Sequence, residues 1–342
     1  MATVCGGFPR FTLPSPFCRD HSPMPNLEPE RSAPALPRPL LAVLRWFDTD
    51  SGKVEPGQQP DRVDWLRVIP FISLHLACLG VIWVGTSWFA VLVALALYVV
   101  RMFAITGFYH RYFSHKAFAT SRPVQFLFAV LGAASVQRGP LWWAAHHRHH
   151  HRHADTDLDI HSPRHGFWRS HMGWFLTPRS FATDHAAIKD LARFPELRLL
   201  DRFDILVPAL LALALFALGS WLERAHPSLG TTGPQLLVWG FFISTVVLFH
   251  ITVTINSLAH RWGNRRFATN DDSRNNWLLA LLTFGEGWHN NHHHYPGSAR
   301  QGFKWWELDV TYYVLRVMSW LGLVWDLKAM PASLRTARRH LP

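Results

Sequence analysis

Cysteine is scarce in this chain. Three are spread over 342 residues, Cys5, Cys18 and Cys78, with no C-x-x-C pair and no even framework. A disulfide-stapled scaffold and a cysteine-ligated iron–sulfur cluster are thereby excluded. The N-terminal stretch lacks the apolar core of a secretory signal peptide, so no secretory address is read there. Acidic residues are also few, 23 against 34 lysines and arginines, which leaves a net charge of +11. Charge of either sign is missing altogether between Val68 and Val100.

What is abundant is apolar and aromatic: 49% hydrophobic residues and 14% aromatic, including 17 Trp and 24 Phe. A mean hydropathy of +0.03 beside so many basic residues requires the two kinds to be segregated. Four runs come close to the roughly 20 apolar residues that a helix needs to cross a bilayer. They lie at about 66–85, 88–108, 203–222 and 235–257, the first two separated by "VGTSW" at 84–88. The expected fold class is an all-α membrane protein with four transmembrane helices. All but two of the 34 basic residues, Arg101 and Arg224, fall in the segments that four spans leave on one side. The positive-inside bias therefore puts both termini and the long central loop in the cytosol. The basic charge then faces lipid headgroups, or an anionic substrate or donor, and nucleic acid is not the expected partner.

Residues 1–60 hold nine prolines in their first 39 positions and show no sustained apolar period, so disorder is expected there. Residues 61–342 form the expected membrane domain. "RPVQFLFAVLGAASVQRGPLWW" (122–143) reads as a helix lying at the membrane interface, and "TYYVLRVMSWLGLVWDLK" (311–328) as an amphipathic or buried helix.

The chain has 22 histidines, and nine of them stand out. "HRYFSH" supplies His110 and His115, "HRHHH" supplies His147, His150 and His151, and "HNNHH" supplies His289, His292 and His293; His260 ends "NSLAH". Positions i, i+3 and i+4 share one helix face, so each triplet can aim three imidazoles at one point. The i, i+5 spacing of His110 and His115 does not share a face and predicts a helix that ends between them. Asn256 lies one turn before His260 and could hold a metal-bound water. Nine nitrogens exceed what one first-row metal takes but suit two metals at four or five each. Imidazole suits iron, zinc, copper or nickel, so the metal stays open at this point. His146, His149 and His153 point elsewhere on the same helix. Carboxylates that accept the outer ring N–H groups would offset the charge of a metal pair. Asp155, Asp157 and Asp159 in "ADTDLDIH" and Glu286 in "GEGWHN" are the candidates.

With H-x4-H, H-R-x-H-H, N-S-x-A-H and G-E-G-x-H-N-x-H-H in that order, the chain resembles the integral-membrane histidine-box acyl desaturases, which include the stearoyl-CoA desaturases. The resemblance covers about 65–330 and extends to "DTDLDIHS", "GFWRSHMGW" and "LGLVWDLK". It implies a four-helix membrane domain under a helical cytosolic cap that carries a di-iron centre. It also implies O2-dependent insertion of a cis double bond, at Δ9, into a saturated acyl chain. By carry-over the two irons are held by His110, His115, His147, His150, His151, His260, His289, His292 and His293, with Asn256 through water. Such chemistry fits, because an unactivated methylene offers no acid–base handle and the oxidising power must come from a metal and O2. No further catalytic residue is expected.

Where animal acyl-CoA members read W-A-R-D-H-R, this chain reads Trp143, Ala144, Ala145, His146, His147, Arg148. "QRGPLWW" looks more like bacterial members, which implies a bacterial inner membrane and leaves acyl-CoA first and acyl-lipid second as the substrate. No haem-domain motif His-Pro-Gly-Gly is present, so a separate ferredoxin- or cytochrome-type protein is the expected electron donor. Tyr98 and Met102, twelve and eight residues before His110, are expected to line the far end of an acyl tunnel, with Met102 shortening it. Two other readings share parts of the pattern. A related di-iron hydroxylase would use the same histidines, and a histidine-rich transporter would place ligands along a path inside the spans, where only His75, His250 and Arg101 occur.

Overall fold

The computed structural model describes residues 37–51 and 61–335. Most of the stretch expected to be disordered, 1–36 and 52–60, lies outside those residues. The described part departs from that expectation: α1 spans Arg38–Phe47. Leu40, Val43, Leu44 and Phe47 recur at i, i+3, i+4 and i+7 and are exposed on it, a helical period hidden among the prolines.

Each apolar run becomes a helix. α2, Ile69–Val84, has Pro70 in its first turn, where a fixed φ and a missing N–H do no harm. It stops at Gly85, whose φ of +66° turns the chain back. The Ser87 side chain accepts from the backbone N–H of Ala90 and starts α3, Trp88–Ser114. α7, Leu206–Ala225, and α8, Gly233–Ser257, follow the same logic, α8 opening on a capping box between Thr232 and Gln235. α3, α7 and α8 are long and apolar enough to cross a membrane, at 27, 20 and 25 residues. Among the described residues three helices are therefore of membrane length, and α2, where a fourth span is expected, is apolar but shorter. α8 packs on both α3 and α7, around a core of Ala90, Leu215, Leu222, Leu236 and Phe241.

A second core joins the end of α3 to the polyhistidine helix. It gathers Phe103, Phe108 and Tyr109 from α3 and Leu141, Ala144 and Ala145 from the helix that carries the second histidine box. The interfacial run 122–143 is two helices, α4 (Arg122–Ala133) and α5 (Pro140–His153), separated at Val136 and Arg138, which take φ of +58° and +68°. α4 meets α3 so closely that a Cβ on Gly132 would lie 2.1 Å from the Tyr109 ring. α6, Pro195–Arg202, caps α5 from outside: Asp201 accepts from the Trp142 backbone N–H at 2.7 Å. A short helix α9 (Trp277–Leu282) precedes α10 (His289–His294), which carries the third box, and α11 spans Val310–Trp320. The 311–328 stretch is therefore not one helix. After Gly322, at φ +71°, it turns into β2, Val324–Trp325, which pairs antiparallel with β1, Ala119–Thr120. That pairing ties the C-terminal segment to the chain just past His115.

Candidate metal centre

The nine predicted histidines converge, but not as the triplets suggest. His110, His115, His147, His151 and His292 form one cluster, and His150, His260, His289 and His293 form another, the ligand atoms of each lying within 4.8 Å of one another. Each triplet is thus split. On α5 the i, i+4 pair His147 and His151 serves the first cluster and His150 the second; on α10 the pair His289 and His293 serves the second and His292 the first. The reason is angular: successive residues on a helix stand about 100° apart, so a stripe three residues wide straddles two points.

The second correction concerns α3. The helix does not end between His110 and His115 but widens into a π-helical segment over Ala104–Ser114. The His115 N–H donates to the His110 carbonyl at 3.3 Å, and Ser114 Oγ donates to the Tyr109 carbonyl at 2.8 Å. In a ladder bonded five residues back, i and i+5 stack as i and i+4 do in an α-helix. Both rings therefore reach one cluster. Arg148 on α5 fastens this end of α3, donating to the carbonyls of Phe113 at 2.6 Å and Ser114 at 3.0 Å.

Inside the clusters the Nε2 atoms face each other closely: 3.0 Å for His110–His292, 2.8 Å for His115–His147, 2.9 Å for His151–His292 and 3.0 Å for His260–His289. Outside, Nδ1 meets carboxylates. His150 pairs with Asp159 at 2.9 Å, His260 with Asp155 at 2.7 Å, His293 with Asp271 at 2.8 Å, and His110 with Glu286. A carboxylate that accepts the Nδ1 proton leaves Nε2 as a bare lone pair aimed inward. Lone pairs crowded in this way repel unless a cation lies among them, so the donor set fits metal ions.

Burial alone would raise Asp155, Asp159, Asp271 and Glu286, yet the neighbouring imidazoles hold all four below the ordinary carboxylate range. His147, His151, His289 and His292 are pushed well below the ordinary imidazole value, first by burial and then by one another. At neutral pH these four rings are uncharged nitrogen donors beside a ring of anions, whereas burial at His150 is outweighed by Asp159, which raises it.

Of the carboxylates expected near the histidines, Asp155, Asp159 and Glu286 each lie against a cluster histidine. Asp157 does not: it is exposed and touches no cluster histidine, because the turn that brings Asp155 and Asp159 inward points it to solvent. Asp271 was missed; it sits in the loop "NDDSRNN" with no spacing to mark it. Also missed were Arg111, buried and bonded to Glu286 at 2.9 Å, to Asp309 and to the Ala299 carbonyl, and Gln301, within 3.4 Å of both His110 and His292. His149 and His153 pack against each other at a 45° tilt and belong to neither cluster.

A cavity of about 610 Å³ adjoins the clusters. His147, Asn256, His161 and His146 border it, and its walls are apolar side chains of α2, α7 and α8. Tyr98 and Met102 are not among its lining. Met102 is fully buried, and the Tyr98 hydroxyl donates to the Leu282 carbonyl at 2.6 Å, so packing against α9 takes the place expected for a tunnel end. One end of the cavity is polar, with Arg45, Arg67, Arg138 and Asp204 lying at helix starts and ends.

Membrane-length helices beneath two polyhistidine clusters define a class, a membrane-helix protein able to hold metal beside an apolar cavity. The sequence profile of the fatty acid desaturase family matches residues 86–323. The chain is 39% identical, over 78% of its length and 69% of the relative's, to the palmitoyl-monogalactosyldiacylglycerol delta-7 desaturase of Arabidopsis thaliana chloroplasts. It is 37% identical to the sn-2 palmitoyl-lipid 9-desaturase of Nostoc sp. (strain 36), over 81% of this chain and 94% of that one. It is likewise 37% identical to the acyl-CoA C20 Delta5-desaturase of Anemone leveillei, over 81% and 88%. The chain belongs to the fatty acid desaturase family and is an oxidoreductase acting on fatty acyl chains.

Proposed function

We propose that this protein is an O2-dependent desaturase that inserts a cis double bond at Δ9 of a saturated acyl chain, using two irons. His110, His115, His147, His151 and His292 would hold one iron, and His150, His260, His289 and His293 the other, with Asn256 in place to hold a water beside it. Bound iron supplies the oxidising power that removes hydrogen from an unactivated C–H bond. The protein's own groups do the rest. Asp155, Asp159, Asp271 and Glu286 fix ring orientation and offset metal charge, and the apolar cavity holds a saturated chain beside them while excluding water. The balance is one CH2–CH2 pair, one O2, two electrons and two protons to one CH=CH and two waters, with the electrons delivered by a separate ferredoxin- or cytochrome-type protein. The observation that carries this reading is the division of nine imidazoles into sets of five and four at the edge of that cavity.

The acyl carrier we propose is anionic, acyl-CoA or an anionic glycerolipid. Arg45, Arg67 and Arg138 border the polar end of the cavity beside two carboxylates, Asp204 and Asp64, and support it by their charge. We further read α2, α3, α7 and α8 as four spans in a bacterial inner membrane, with clusters and termini cytosolic. In this reading the non-protein partners are O2, the acyl substrate and the bilayer, and nucleic acid is not one.

Expression in a bacterial host without its own desaturase tests the whole. New cis monoenes unsaturated at position 9 are expected, and a His292→Ala variant should make none. Hydroxylated chains in their place would turn the assignment to a monooxygenase. Separate analysis of the acyl-CoA and glycerolipid pools after a short pulse of labelled fatty acid identifies the carrier.

A further inference from the structure

Three elements meet on one side of the cavity, and each contributes the same pair of residue types. α2 gives Phe71 and His75, α8 gives Phe249 and His250, and the loop before α6 gives Phe175 and His171. The phenylalanines all line the cavity. Their rings touch edge to face in a closed triangle, with centroids 5.4 Å apart for Phe71–Phe175, 5.3 Å for Phe71–Phe249 and 5.4 Å for Phe175–Phe249.

Behind them the histidines form a chain. His75 Nε2 lies 3.0 Å from His250 Nε2, His250 Nδ1 lies 3.0 Å from His171 Nε2, and His171 Nδ1 lies 3.0 Å from Ser257 Oγ. The far end fixes the direction of every bond. His75 Nδ1 is 2.8 Å from the Phe71 carbonyl, which can only accept, so His75 must donate there. With one proton per ring, its Nε2 then accepts from His250, His250 Nδ1 accepts from His171, and His171 Nδ1 faces the Ser257 hydroxyl, whose one proton is shared with the Val253 carbonyl at 3.1 Å. Every ring nitrogen of the chain thus has a partner, and a connected polar network holds its elements in one arrangement.

We propose that Phe71, Phe175 and Phe249 form the wall that sets which stretch of the acyl chain lies beside the metal centre, and that the His75–His250–His171 chain positions that wall. The proposal rests on the desaturase reading. Its geometry follows from α8: Phe249, Val253 and Asn256 share the cavity face, so the wall starts about 10 Å along the helix from the metal edge. An acyl chain is uniform along its length and offers no polar handle there, so the bond presented is decided by the shape of the channel.

The test uses the full-length protein in the desaturase-free host, reading the ratio of C16 to C18 monoenes, the double-bond position and iron per purified chain. Phe175→Ala and Phe249→Ala should keep wild-type iron and shift the product ratio by about tenfold, the discrimination a methylene-sized change in an apolar pocket commands. His250→Leu should shift it in the same direction to a smaller extent. His250→Gln, whose amide can donate to His75 and accept from His171, should restore it. If an Ala variant loses iron, Phe175→Leu and Phe249→Leu, which keep apolar bulk without the flat ring, carry the same prediction. Iron-replete phenylalanine variants with the wild-type ratio and position would overturn the wall. A wild-type ratio in His250→Leu, with the phenylalanine variants shifted, would overturn the positioning role alone. Absence of monoenes from the wild-type protein would instead defeat the desaturase reading.

Discussion

At the scale of single residues, the outer nitrogen of each imidazole matters as much as the inner one. Asp271 holds His293 as Asp155 holds His260 and Asp159 holds His150. Asp271→Ala should free that ring and lower activity by about 10–100-fold, the usual effect of losing such a partner, with iron per chain falling toward one. Elemental analysis beside product yield checks both. Asp157→Ala is the control, and yield and iron should stay at wild-type levels because Asp157 touches no cluster histidine. Asp155, Asp159 and Glu286 were legible because each sits within a few residues of a histidine box. Asp271 was not, because the loop that delivers it carries no periodic signal and its partner is 22 residues away.

At the scale of elements, the junction of α3 and α5 assembles the five-histidine cluster. Arg148 is bonded to the last carbonyls of the π segment and bidentate to Asp190 at 2.8 and 3.0 Å, so α3, α5 and the loop before α6 share one guanidinium. Arg148→Gln cannot span all three. Thermal unfolding in detergent should show a loss of about 2 kcal/mol or more, since hydrogen bonds to a charged donor are among the stronger ones. Gly132→Ala probes the same junction from α4. Its Cβ would overlap the Tyr109 ring at 2.1 Å, and the overpacking should cost about 1–3 kcal/mol by the same measurement. The histidine spacings announced that these elements meet. They could not announce the π widening, because hydrogen bonding five residues back depends on what packs against the helix.

At the scale of the whole molecule, several imidazoles are buried in their neutral form around the two clusters, and this makes the metal-free protein sensitive to acid. His146 and His293 are pushed down to about 4 and His161 to about 3, burial being the first cause in each. Between those values and the ordinary imidazole pKa of about 6.5, the unfolded chain takes up protons that the folded chain does not. Stability must therefore rise with pH in that window and fall as pH drops through it. Chelator-stripped protein should show its melting temperature falling steadily from about pH 6.5 to about pH 4, where the iron-loaded protein falls less because bound metal opposes protonation. A melting temperature flat over that window would contradict the burial of neutral rings.

The sequence by itself determined the apolar runs, the mostly helical class and the nine histidines, because hydrophobic length and helical spacing are properties of neighbouring residues. It also placed Asp155, Asp159 and Glu286. Only the tertiary structure decided which histidine joins which cluster, that α3 widens to bring His110 and His115 together, that Asp271 and Arg111 support them, and that Tyr98 and Met102 lie outside the cavity. Those facts depend on the angles at which separate helices meet, and such angles are set by packing between residues far apart in the chain.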